Sequence, residues 1–254
     1  MAITQLAAQL YTLRDFMKTP AAIAATFKKV KALGYDAVQL SGLGPIAPSE
    51  LADILISKGQ QAVITHTSYT RLREELDAVI TEHKLWNCPH VALGSMPEEF
   101  RSSAGIRKFA LVANDIGKKL VEAGLTFSYH NHSFELAHND AGISWLEQLY
   151  SETDPRYLQG ELDTYWIQHG GADPAAWVTR MSGRMPVIHL KDMVMVGDQQ
   201  VMAEVGEGNL NWAAILPACR AAGVQWYAVE QDECRRNPFE SLAISYRNLV
   251  AMGI

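Results

Sequence analysis

One pattern recurs along this chain: an amphipathic stretch, a stop at glycine, then a short apolar run. The stretch ending at Gly34 leads into YDAVQL, that at Gly59 into QQAVIT, that at Gly124 into LTFSYH and that at Gly223 into VQWYAVE. Glycine just past a helix end takes the left-handed conformation that closes the helix and releases the chain into the next strand. Helix starts carry matching signals. Thr19-Pro20, Pro48-Ser49-Glu50, Pro97-Glu98-Glu99, Asp173-Pro174 and Asn237-Pro238 place a capping residue or a proline with early acids at a first turn. Apolar runs near 5–11, 36–40, 61–65, 89–93, 125–130, 158–163, 186–190 and 225–230 read as eight strands. Strands alternating with helices build a parallel sheet with right-handed crossovers. Eight such units in 254 residues predict a single (β/α)8 TIM barrel over residues 1–254. An open doubly wound sheet is the weaker alternative, because AAQLYTLRD stands where a glycine-rich G-x-G-x-x-G turn belongs.

Charge and cysteine usage exclude several function classes. A formal charge of −6 with scattered Lys and Arg opposes a nucleic-acid partner. Cys88, Cys219 and Cys234 are too few and too irregularly spaced for a disulfide framework, which suits a reducing cytosol. No run approaches a membrane span and the MAITQLAAQLY start lacks a basic leader region, so a cytoplasmic protein without membrane attachment is expected. The outer helices leave homo-oligomerisation open.

Four successive apolar runs break into polar chemistry at their C-terminal ends: LTFSYHNHSFEL (125–136), LQGELDTYW (158–166), MPVIHLKDM (185–193) and VQWYAVEQDE (224–233). In a barrel of this kind those ends surround the active site. Asp163 alone reads as a helix cap, and His189 alone as a satisfied core histidine. Glu230, however, ends a run too apolar to tolerate an unpaired carboxylate. Three such residues on three strand ends point to a divalent metal bound through O and N. The fourth ligand is open among His130, His132 and Glu135. A histidine-rich set would suit zinc and hydrolysis; a carboxylate-rich set would suit Mn, Mg or Co and sugar chemistry. Lys191 shares the face of His189, either as a fixed positive charge on an oxyanion or as a partner of Asp163 or Asp192. His66 follows the third run. Tyr11, Tyr69, Phe134 and Trp166 fall in mouth loops, where aromatics stack on sugar C–H faces. Gly206 and Gly208 in EVGEGNLNW offer backbone N–H groups to an anion, or simply turn the chain before an Asn211 cap.

GYDAVQLSG, YHNHSFE, ELDTYW, VIHLKD, VGEGNLNW and VEQD occur in this order along nearly the whole chain. Together they resemble the xylose isomerase-like TIM-barrel superfamily, in the branch labelled sugar phosphate isomerase/epimerase. The resemblance implies one divalent metal held by Glu, Asp, His and Glu on four consecutive strands. Asp163, His189 and Glu230 match directly, and Glu135 is the available first acid, further from the strand end than in the ketose epimerases. It implies a sugar isomerase or epimerase acting on a ketose or keto-polyol through an enediolate held on the metal. Glu230 or Glu135 would take the proton, the other acid or His66 or His132 would return it, and Lys191 would neutralise the oxyanion. Tyr11, His130, Trp166 and Gln231 are the expected substrate contacts. Dehydration of a keto-sugar or keto-inositol uses the same enolate and is the alternative. Phosphodiester hydrolysis is opposed by the acidic charge, and a non-catalytic sugar-binding barrel by the intact acid and histidine set.

Overall fold

The computed structural model describes residues 5–254; the first four residues of the stretch read as lacking a leader lie outside them. Seven strands follow in order: β1 (Leu6–Gln9), β2 (Ala37–Leu40), β3 (Gln61–His66), β4 (His90–Leu93), β5 (Thr126–His130), β6 (Gln159–Glu161) and β7 (Val187–Leu190). A hairpin, β8 (Asp192–Val196) and β9 (Gln199–Ala203), intervenes before β10 (Trp226–Val229). The main sheet runs β6-β5-β4-β3-β2-β1-β10-β7, and every pairing in it is parallel. Its two ends meet through a parallel bridge between Asp163 and His189, with the His189 N–H donating to the Leu162 carbonyl at 2.8 Å. The eight expected strands thus close one (β/α)8 barrel.

The punctuation marks act as expected. Thr19, Asp173 and Asn237 cap the helices beginning at Pro20, Pro174 and Pro238, and Gly59 and Gly223 close their helices in the left-handed region. One start differs. Pro97-Glu98-Glu99 opens only a short 3-10 turn, and the long helix Ser103–Glu122 begins where the Ser102 hydroxyl accepts the Gly105 N–H. That helix buries Ile106, Phe109, Ala113 and Leu120, the spacing of one helical face.

Inside the barrel the side chains form layers. Ala7, Ala37, Val63, Ala92, Val187 and Ala228 make a small apolar plug. Two residues further along four of these strands come Gln9, Gln39, His189 and Glu230, which contact one another across the interior. Period-two alternation therefore stacks a polar floor directly on an apolar plug, and the mouth opens above it. The hairpin was not anticipated. Its signal is Gly197-Asp198, a two-residue loop between paired Val196 and Gln199, with Gly197 at φ 62°.

Candidate active site

The strand ends bring most of the expected residues to one place. His130, Asp163, His189 and Glu230 are all buried, and each offers a ligand atom within 4.8 Å of the others'. A second group, His66, His130, Glu161 and His189, meets the same criterion and shares two histidines with the first. His189 sits between them. Its Nδ1 lies 3.0 Å from Glu230 and 3.7 Å from Asp163, and its Nε2 lies 2.7 Å from Gln39 and 3.2 Å from Glu161. His66 Nε2 is 2.8 Å from the other Glu161 oxygen. Gly94 makes room for that ring, since a Cβ there would lie 3.0 Å from His66 Nδ1.

Lys191 is fully buried, with Nζ at 2.7 Å from Glu230, 2.7 Å from Asp232 and 2.9 Å from Asp163. Of the two sequence readings of this lysine, the structure contains the pair with Asp163. Asp192 is not its partner. Burial opposes charge on Lys191 and His189, yet the surrounding carboxylates outweigh burial and keep both well above their ordinary ranges. The reciprocal effect holds Glu230 well below the carboxylate range and Glu161 down to about 2 against the cost of burial. His130 and His132 are driven the other way. Burial first, then neighbouring positive charge, lowers His130 well below its usual value and His132 to about 4, so both are neutral near pH 7. Four carboxylates (Glu161, Asp163, Glu230, Asp232) against Lys191 and His189 leave the cluster with excess negative charge.

The donor set suits a divalent metal. Two imidazoles and two carboxylates form a mixed N/O set acceptable to Mn, Co or Zn. His130 Nδ1 and Asp163 Oδ2 are buried without a hydrogen-bond partner, as free ligand atoms are. Asp163 Oδ2 does lie near Lys191 Nζ, but outside hydrogen-bond geometry, so the lysine neutralises this oxygen without satisfying it.

Glu135 lies apart from this convergence. A 3-10 turn over Phe134–Leu136 folds it beneath the loop, where its carboxylate accepts the Tyr129 hydroxyl and, at 2.9 Å, the His132 N–H. Burial pushes it up to about 7, with the Tyr129 hydrogen bond pulling back. His130, at the end of β5, stands in the converging set instead. Asp163 combines both of its readings, because Oδ1 accepts the Trp166 N–H and caps helix Thr164–His169 while Oδ2 faces the site.

A mouth cavity of about 230 Å³ is lined by Tyr11, Ser41, His66, Gly94, Ser95, His130, His132, Glu230 and Asp232. Tyr11, His66, His130, His132 and Glu230 were expected there. Trp166 packs beside it, 5.3 Å from the His132 ring and 5.5 Å below Lys191 Nζ. Gln231 is buried, its backbone N–H donating to the Thr12 hydroxyl and its side-chain Nε2 without a hydrogen-bond partner. Glu161 was overlooked, although it stands two residues before Asp163 and so shares its face. Gln9 and Gln39, on β1 and β2, also enter the cluster: Gln9 Nε2 donates to Glu230 at 2.6 Å and Gln39 accepts from His189.

The glycines of EVGEGNLNW serve an internal anion. The buried Asp192 carboxylate accepts N–H groups from Met193, Gly206, Gly208, Leu210 and the Trp212 indole, at 2.6 to 3.2 Å. A Cβ at Gly208 would lie 2.3 Å from Asp192 Oδ1, which is why the loop needs glycine there.

No protein-family model matches the chain. An inosose dehydratase of Geobacillus thermodenitrificans (strain NG80-2) is 30% identical over 148 residues, 50% of this chain and 48% of that protein, so the chain spans about half the length of the curated relatives it matches. A sugar phosphate isomerase/epimerase structure from Parabacteroides distasonis superposes with a TM-score of 0.81 at 21% identity, covering 96% of this chain and 97% of that one. A structure described as the probable 3-DHS dehydratase of Bacillus anthracis gives 0.73 at 12% identity, over 96% and 98%. The chain therefore has the fold of the xylose isomerase-like TIM barrels, the fold in which the sugar phosphate isomerase/epimerase structures are built.

Proposed function

We propose that this chain is a divalent-metal-dependent enzyme that removes the proton beside the carbonyl of a neutral keto-sugar or keto-cyclitol, with loss of water as the leading outcome. The convergence of His130, Asp163, His189 and Glu230 around two buried, unbonded donor atoms carries the reading. A bound metal would act as a Lewis acid on adjacent carbonyl and hydroxyl oxygens, acidifying the intervening C–H. The chain's own groups take unequal parts. His66 lines the mouth with Glu161 behind its Nε2, an arrangement that orients the imidazole so that Nδ1 can take a proton. Lys191 holds positive charge beside the reacting oxygens and lowers the cost of developing negative charge. Asp232, paired with Lys191 at 2.7 Å, carries negative charge at the mouth, so the proton that His66 takes from carbon is the one passed to the departing hydroxyl, which leaves as water.

This inequality supports elimination. Epimerisation asks for two comparable bases on opposite faces of one carbon, and Glu135, the acid expected to complete such a pair, is tied to Tyr129 and His132. The half-length likeness to inosose dehydratase points the same way. Isomerisation or epimerisation is the second reading, favoured by the likeness to the Parabacteroides distasonis structure and by a second acid, Glu230, lining the mouth together with His66.

The charge inventory supports an unphosphorylated substrate. On the mouth loops, Arg14 donates to the Tyr11 and Asp232 carbonyls, Arg101 to the Met96 carbonyl, and Lys191 is surrounded by three carboxylates. A phosphate brought here would meet the carboxylates of Asp232 and Glu230, and no arginine or lysine is among the described residues that line the mouth cavity. The test is incubation of the manganese-loaded protein with keto-inositols and ketohexoses in D₂O. Deuterium beside the carbonyl with loss of water supports dehydration; deuterium with conserved mass composition supports isomerisation. No exchange with any of them, with and without metal, overturns the proposal.

A further inference from the structure

The mouth cavity has a neighbour. A second cavity of about 320 Å³ lies outside the ends of β2 and β3 and shares two walls with the first, Ser41 and His66. At about 230 Å³ the mouth alone is small for a ligand site, whereas the two spaces taken together fall within the roughly 300–1,000 Å³ range of ordinary ligand pockets. The base proposed above stands at their junction.

The chemistry of the second cavity is distinct. Leu40, Leu43, Ile46, Leu51 and Trp86 supply apolar wall. Its polar wall groups are already bonded to one another. The Arg71 guanidinium is held by Glu82 at 2.9 and 3.0 Å and by Glu75 at 3.0 Å. His83 bonds to Thr65 at 2.9 Å and to the Val79 carbonyl at 2.7 Å, and Thr65 also bonds to Thr67. The Trp86 N–H donates to the Pro48 carbonyl at 2.9 Å, which leaves only its ring to face an occupant. An apolar group entering here gains burial against these side chains, whereas a hydroxylated or ionic one would compete with the Arg71–Glu82 ion pair and the Thr65–His83 hydrogen bond, which are already made.

We infer that the substrate carries an apolar aryl or alkyl substituent, and that this cavity between the β2 and β3 ends binds it while the ring sits over the metal donors. The inference rests on the function proposed above and narrows its substrate class. Leu43 and Ile46 are specificity-determining residues in this arrangement. They are half-buried on the loop 41–47 and take no part in the polar cluster.

Two glucosides that are not ketones, and so bind without reacting, provide the probes. Methyl and phenyl β-glucoside are titrated calorimetrically into the manganese-loaded full chain and into Ile46→Glu and Leu43→Gln, with thermal melting to confirm that each variant is folded. The phenyl compound is expected to bind about tenfold tighter than the methyl compound, with that ratio falling toward one in the variants. Equal affinities in the parent protein, failure of both probes to bind, or a ratio unchanged in a folded variant would overturn the inference. If one variant does not fold, the other decides. Turnover of an unsubstituted keto-inositol is scored separately. A phenyl preference without any enolate chemistry removes the proposed function and leaves the subsite standing, and turnover without the preference does the reverse.

Discussion

Asp163 and Asp192 are both fully buried aspartates near the C-terminal end of the barrel, and they have opposite surroundings. Asp192 accepts five N–H groups and is closed to anything else. Asp163 spends one oxygen on a helix cap and leaves the other without a hydrogen bond. Burial is the same; donor supply differs. A carboxylate saturated by N–H donors anchors a loop, whereas one whose second oxygen faces only the Lys191 ammonium and an imidazole is the kind we propose as a metal ligand.

The contrast is sharpest in two substitutions. Asp192→Ala strands several buried donors at once and should cost about 3–5 kcal/mol of stability, read from urea denaturation. The manganese bound per folded molecule should stay near that of the parent; a variant as stable as the parent would mean that the clamp is decorative. Asp163→Asn keeps an oxygen for the cap and loses the charge. It should weaken manganese binding by more than about 100-fold, beyond the range of an outer-shell change, while the melting temperature without metal stays within a few degrees. Full metal content in a folded Asp163→Asn protein would break the comparison.

A third test concerns the acid that stayed out of the cluster. Burial raises Glu135 from 4.5 to about 7, so its protonated form is favoured in the folded state. The stability this contributes is complete below about 4.5, declines as pH rises, and is lost above about 7, on the order of 3 kcal/mol across that window. Glu135→Gln should flatten that part of the stability–pH curve and leave metal affinity unchanged. A large loss of affinity would restore Glu135 to the ligand set. The smallest effect belongs to Glu161→Gln. Replacing the carboxylate that faces His189 Nε2 with a neutral amide should weaken metal binding by about tenfold, as an outer-shell change does, and an effect as large as that of Asp163→Asn would move Glu161 into direct coordination.

The strands and the Asp163, His189 and Glu230 triplet were readable in the sequence because each of these residues interrupts an apolar run at a place where alternation dictates its face. Lys191 followed from His189 by the same rule. Glu161 obeys the rule too, counted backward from Asp163, but the QGELD stretch masks it as ordinary strand text. The place of Glu135 was not readable. It depends on a 3-10 turn that folds Phe134–Leu136 back under β5, and on Tyr129 pointing out of the barrel toward that turn, neither of which leaves a periodic trace. The β8–β9 hairpin did leave one, in Gly197-Asp198, but a scheme of alternating strands and helices has no position for it.

That hairpin has a practical side. Its base is fastened by Asp192, and its tip at Gly197-Asp198 projects beyond the clamp with Met195 and Val196 about half exposed. Neighbouring Lys191, on the other side of the peptide bond, is the residue to which we assign the oxyanion charge. Extra residues at the tip would be separated from the lysine by the most heavily bonded carboxylate described here, and loop tips of this kind tolerate insertion. A fluorophore or affinity handle placed there would report on events at the mouth from a few strand residues away without entering them.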